Sequence, residues 1–238
     1  MPGNEMIPRH FYGKYRGKVV ANEDPLGIGR VQALVPAIDP GAINWAMPCT
    51  PYAGPQEGFY MIPPVGANIW VEFEGGDPNY PIWSGCFWGE KQDQKPPTDA
   101  NGPKLKVLQT EQLVLSFDDQ NKKLTAKLKP KADKGTSPTM SIEMDDKSLV
   151  LTGYKEVTVT ITRDKLEIKK GATVIELTDN IVLKKPPASI EITSAITLKN
   201  GAASEELTSS AINLKNGAAS IAMSPAAVNV NNGALEVI

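Results

Sequence analysis

Between residues 172 and 234 the chain writes one unit four times: ATVIELTDNIVLKKPP, ASIEITSAITLKNGA, ASEELTSSAINLKNGA and ASIAMSPAAVNVNNGA, beginning at Ala172, Ala188, Ala203 and Ala219. A fixed period of about sixteen residues constrains the fold more than composition does, because every copy has to take the same local structure and bury its apolar face against its neighbours. Within the copies short runs alternate apolar and polar residues: Ile190 and Ile192, Ile196 and Leu198, Ile212 and Leu214, Ile221 and Met223, Val228 and Val230. A period of two predicts strands with one apolar face.

Roughly four apolar side chains per unit do not offset the ordering cost of about sixteen residues of backbone, so a single tail falls short on its own. The shortfall disappears where several copies wind together, each strand hydrogen-bonding to a neighbouring chain above and below while the apolar faces meet on a common axis. A closed three-sided prism is the simplest such object without free edges. Its expected trimer core is Ile190, Ile192, Ile196, Leu198, Ile212, Leu214, Val228 and Val230. The alternative is an antiparallel meander turned at Asn200-Gly201, Asn216-Gly217 and Asn232-Gly233, all good two-residue hairpin turns. A lone sheet with one apolar face still needs a cover, and no helix-forming segment remains to supply it, which favours the intertwined trimer.

Aromatic residues divide the chain. Thirteen of the fifteen Phe, Tyr and Trp fall between Phe11 and Trp88, which marks a domain boundary. The expected organisation is a first domain over 1–92, a linker over 93–104 in a Pro-rich polar stretch, and a spike region over 105–238. In the first domain five short runs, at 15–21, 29–35, 44–47, 67–73 and 82–87, separated by Pro, Gly and Asp turns, predict a five-stranded barrel. From Leu105 strands recur with a break at 129–138. Stacked at ~4.8 Å they make a shaft on the order of 80 Å long. Leu235, Val237 and Ile238 are apolar at the end of the chain and give a bundle of copies a small apolar end-face.

A formal charge of -2 leaves no electrostatic footprint for nucleic acid or an anionic membrane. Cys49 and Cys86 read as small buried residues in a reducing compartment, with a bridge between them left open. The opening MPGNEMIPRHFYGKYRGK has no apolar core of signal-peptide length, and no stretch approaches the ~18 apolar residues of a membrane span, so assembly in the cytoplasm is expected.

Residues that carry chemistry are sparse. His10, the sole histidine, stands in a charged segment and reads as a surface or capping residue. No cluster has metal-ligand spacing, so neither metal nor cofactor is expected. Asp118-Asp119 and Asp145-Asp146 follow apolar strands and precede Lys-rich sequence, the setting of turns rather than of a hydrolase carboxylate pair. Gly27-Ile28-Gly29-Arg30 lacks the third glycine of a phosphate loop and precedes a strand. Trp45, Trp70, Trp83 and Trp88 read as core rather than as stacking platforms for single-stranded nucleic acid, because acids outnumber bases up to Gln92. No catalytic residue emerges.

At this point the first domain resembles a known family. YRGKVVANEDPLGIGRVQALVP at 15–36, INWAMPCTPYAG at 43–54 and IPPVGANIWVEFEGGDPNYPIWSG at 62–85 are similar, in order and spacing, to the OB-fold domain of phage baseplate assembly protein V. Related VgrG-like spikes belong to R-type bacteriocins, contractile injection systems and type VI secretion. The resemblance implies an all-β chain, an OB-fold barrel followed by an intertwined trimeric β-helix needle, acting as a homotrimeric central spike. Its barrels would join baseplate hub and tube proteins, its needle would pierce the target envelope on sheath contraction, and the particle would be a virion tail or a secreted contractile machine. No lysozyme domain separates barrel from needle, and no histidine motif stands at the tip. Leu235, Val237 and Ile238 are therefore expected to dock a separate PAAR-type tip protein. The other function in view is an OB-fold module binding oligosaccharide or single-stranded nucleic acid.

Overall fold

The computed structural model describes residues 10–90, 95–97, 102–128, 140–154 and 157–237. The break expected at 129–138 and half of the linker fall outside the described residues. The chain divides into two compact units, Met1–Pro96 and Pro97–Ile238.

The first unit contains β1 (Tyr15–Ala21), β2 (Gln32–Val35), β3 (Asp39–Ala42), β4 (Met47–Pro48), β5 (Ala53–Gly54), β6 (Glu57–Gly58), β7 (Asn68–Phe73) and β8 (Pro81–Cys86). Six of them form one sheet in the order β3-β2-β1-β7-β8-β4, and β5 and β6 make a separate hairpin. Alternation decides which side faces in: Ile69, Val71 and Phe73 of β7 are buried, while Asn68, Trp70 and Glu72 are half-buried. Val19, Val31, Ala33, Val35, Ile43, Ala46 and Trp83 complete the core.

The sheet curls until Val31 and Ala46 exchange both backbone hydrogen bonds, at 3.2 and 2.8 Å. That single bridge is the seam, so the expected five-stranded barrel is instead a six-stranded OB-type sheet without full closure. At Gly17 the core leaves little room for a side chain, since a Cβ there would sit 3.0 Å from Val71 Cγ2. The extra strand β3 has the sequence DPGA and is wholly exposed, so no apolar alternation announced it.

In the second unit sixteen strands, from Leu105–Gln109 to Leu235–Val237, form one sheet in sequence order. Every neighbouring pair is antiparallel, for example Ala188–Ile192 with Ile196–Asn200. The tail strands therefore hydrogen-bond within their own chain. This corrects the expected winding of hydrogen bonds between chains: the meander is how each chain builds its sheet. A long antiparallel sheet with one apolar face remains consistent with a prism, provided that faces rather than strand edges join the copies.

The two edges of this sheet turn differently. On one edge the loops are Gly171-Ala172, Pro186-Pro187, Gly201-Ala202 and Gly217-Ala218, between the paired residues Lys170 and Thr173, Lys185 and Ala188, Asn200 and Ala203, and Asn216 and Ala219. Two of the three expected Asn-Gly loops thus shift by one: Asn200 and Asn216 end their strands, and Gly201 and Gly217, at φ 58° and 59°, open the loops, while Asn232-Gly233 lies within the connection between Val230 and Leu235. A glycine with positive φ at the first loop position is what a two-residue hairpin of the II′ kind needs.

On the other edge a hydroxyl closes each loop. Thr178 Oγ1 accepts from Asn180 N at 3.1 Å, Thr193 from Ala195 N at 3.2 Å, Thr208 from Ala211 N at 2.9 Å, and Ser224 Oγ from Ala227 N at 3.2 Å. Such side-chain oxygens stand in for the missing backbone acceptor of a turn. Loops of three residues after Leu177 and Ile192, and of four after Leu207 and Met223, explain why the repeat lengthens from fifteen residues to sixteen at Ala203.

Candidate functional site

Cross-strand register turns the alternation into two ladders on one face of the long sheet, apolar but for Glu205 in the repeat region. One runs through Leu166, Leu177, Ile181, Ile192, Ile196, Leu207, Ile212, Met223 and Val228. Beside it run Ile168, Ile175, Leu183, Ile190, Leu198, Glu205, Leu214, Ile221, Val230 and Leu235. Both continue towards the first strands, to Phe117 and Leu115. The opposite face carries Glu167, Glu176, Glu191 and Glu206 with Lys169, Lys184, Lys199 and Lys215, a solvated mixture that needs no partner.

Nothing within the unit covers the apolar face. Ile175, Leu183, Ile190, Ile192, Ile196, Leu198 and Leu214 are each 37–42% exposed, the state of a side chain shielded only by its neighbours in the sheet. Among the described residues of this unit Val114 is the one buried hydrophobic. A groove of about 980 Å³ runs over the second ladder, lined by Leu183, Ile190, Leu198, Glu205, Leu214 and Ile221 among others. Each uncovered Ile or Leu leaves roughly 1 kcal/mol of hydrophobic free energy unrealised, and apolar faces of this extent mark interaction surfaces.

All eight residues expected in the trimer core stand in these ladders; Ile212, Val228 and Val230 are the better shielded. Of the three expected at the tip, Leu235 is 59% exposed and continues the second ladder after Val230. Val237 is paired with Val228 through the backbone, and Ile238 lies outside the described residues.

Elsewhere the residues that carry chemistry are held in structural roles. Asp118 accepts from the backbone N–H groups of Gln120 and Asn121, both at 3.0 Å, and Asp145 from those of Lys147 and Ser148 at 2.9 and 2.8 Å. The Asn121 side chain lowers the Asp118 pKa, and the Lys147 and Ser148 N–H groups lower that of Asp145. Both act as ionised turn acceptors.

In the first unit Asp24 organises the loop into β2. Its carboxylate accepts from the N–H groups of Leu26, Ile28 and Arg30 at 3.0, 3.1 and 3.2 Å, and from Arg30 Nη2 at 2.6 Å. The Arg30 guanidinium, with those N–H groups, holds the carboxyl far below the usual range. Amides that a phosphate would need are therefore already taken. Sequence reasoning dismissed this glycine loop and overlooked the acid at its centre; a carboxylate six residues before an arginine was the available signal.

Two expectations are corrected in this unit. Of the tryptophans only Trp83 is core, its Nε1 donating to the Gly29 carbonyl at 3.1 Å. Arg16 lies 5.5 Å from the Trp70 ring and 5.3 Å from that of Phe87, Arg30 lies 5.6 Å from Trp45, and Trp88 is 66% exposed. Cys49 and Cys86 are both free and exposed rather than buried: Cys49 follows β4 and Cys86 is the last residue of β8, outside the buried positions of that strand. His10 is exposed and stacks on Tyr12 at 5.8 Å. Among the described residues no group of His, Cys, Asp and Glu is arranged to hold a metal ion.

Comparison with known families agrees with both units. Residues 15–88 match the Type VI secretion system/phage-baseplate injector OB domain. Residues 175–236, the stretch with the uncovered ladders, match the phage baseplate V C-terminal trimerisation domain. No curated protein matches the chain. The two matches support a structural protein of a phage or type VI secretion baseplate, non-enzymatic in role, and the second supports a homotrimer.

Proposed function

We propose that the chain is the central spike of a contractile machine, a VgrG-like homotrimer that links the baseplate to a tip and pierces the target envelope when the sheath contracts. The observation that carries this reading is the pair of apolar ladders left uncovered along the long sheet. Three copies of that face cover one another and leave the Glu and Lys face in water. In this reading residues 1–92 contact hub and tube proteins, 93–104 link, and 105–238 form the needle.

The mechanics follow from the meander. Backbone hydrogen bonds run perpendicular to the strands, so a force along the stack loads successive rows of them in series, and three sheets joined through a packed core resist buckling together. Stiffness is the property needed, and neither nucleic acid nor cofactor has a part in it. Assembly takes place in the cytoplasm, before incorporation into a virion tail or a secreted particle. At the far end Leu235, Val237 and Ile238 of three chains offer an apolar seat for a PAAR-type tip protein. Deleting residues 235–238 is expected to abolish tip capture while the trimer persists; capture at the original level overturns that seat.

Immunogold electron microscopy of purified particles tests the whole reading. Label at the distal end of the baseplate is expected. Label along the sheath, or particles without the chain, contradicts it.

A further inference from the structure

The second ladder has one break. Copies of the repeat beginning at Ala188, Ala203 and Ala219 place Ile190, Glu205 and Ile221 at the same position. Glu205 pairs with Leu198 on one side and Leu214 on the other, so it shares the apolar face with them. It is half-buried, and among the described residues no hydrogen bond or ion pair engages it. Its neighbour Glu206 faces the other way and accepts from Asn213 Nδ2 at 3.1 Å.

The polar groups closest to Glu205 on its own face are Asn200 and Asn216. Both pair with Ala203, two residues before Glu205, and so stand diagonal to it. No titratable side chain shares that face on either adjoining strand: Lys199 and Lys215 lie on the opposite face, and Lys185 is three strands away.

A repeat with two Ile and Leu ladders is an ambiguous zipper. Sliding one chain by one unit, two strands or ~9.6 Å, brings aliphatic against aliphatic as before. Glu205 ends that equivalence. In register, three Glu205 side chains share one layer with the Asn200 and Asn216 amides, whose N–H groups can donate to the carboxyl groups there. Out of register each carboxyl stands alone among aliphatic side chains, where an unpaired polar group is costly. One buried polar residue fixes the register of coiled coils by the same physics.

We infer that Glu205 sets the axial register of the three chains. This rests on the trimer proposed above.

The test uses the full chain with Cys49→Ser, Cys86→Ser and a nitroxide on Ser194→Cys, read by dipolar EPR and by solution mass. A single interchain distance is expected for this parent and for Glu205→Gln, which keeps a polar group in the layer. In Glu205→Ile a second population displaced by ~9.6 Å along the stack is expected. A trimeric Glu205→Ile with one distance overturns the role of Glu205 and leaves the trimer intact. A monomeric parent overturns both.

Discussion

The two units solve the burial problem in opposite ways. The first has about eighty described residues and closes around Val19, Val31, Ala33, Val35, Ile69 and Val71, all at most 1% exposed. The second has more strands and one buried hydrophobic among its described residues, yet its apolar side chains are aligned more regularly than any in the first. Regular alignment without burial means that the second unit is ordered to meet copies of itself, whereas the first is ordered to be complete. One chain thus combines a finished domain with an unfinished surface.

Breaking the unfinished surface gives the largest effect. Ile190→Asp puts a charge at the middle of the ladder, once per chain, and an unpaired buried charge costs several kcal/mol. Loss of assembly by sedimentation is expected, with the tryptophan emission unchanged, because all four tryptophans lie in the first unit. The reverse experiment is Ile69→Ala in the finished core, expected to cost about 2–5 kcal/mol. It should lower the denaturant midpoint of the tryptophan signal and leave the mass as it was.

Acid sharpens the comparison next. The Asp24 carboxyl is depressed chiefly by Arg30, so its contribution is present above the unfolded carboxylate value near ~3.9 and is lost as pH falls below it. The tryptophan transition should weaken in acid, and Asp24→Asn should flatten that dependence. Thr193→Ala, which removes one loop acceptor, is the smallest, about 0.5–1 kcal/mol. It should appear as a slight drop in the melting temperature of the second unit alone.

How much of this was legible follows the range of each interaction. Strands 15–21 and 188–192 were readable because alternation is local. The apolar face of Ile190 and Leu198 was readable for the same reason. Which chain supplies the next strand was not, because alternation is identical whether the partner is the same chain or another. The turn shift from Asn200-Gly201 to Gly201-Ala202 depends on register, a pairing property. Cys49 and Cys86 have apolar sequence neighbours, but burial follows side-chain direction, which composition does not report. Glu205 was visible when the repeats were aligned; its meaning needed the ladder, where it is the one charged rung between Ile168 and Leu235.

The solution mass of the intact chain tests the central claim most directly. Sedimentation equilibrium across a range of concentrations should return three times the chain mass with no lighter species. A monodisperse, cooperatively melting monomer would mean that the sheet tolerates its own bare face, and the account of an unfinished surface would be wrong.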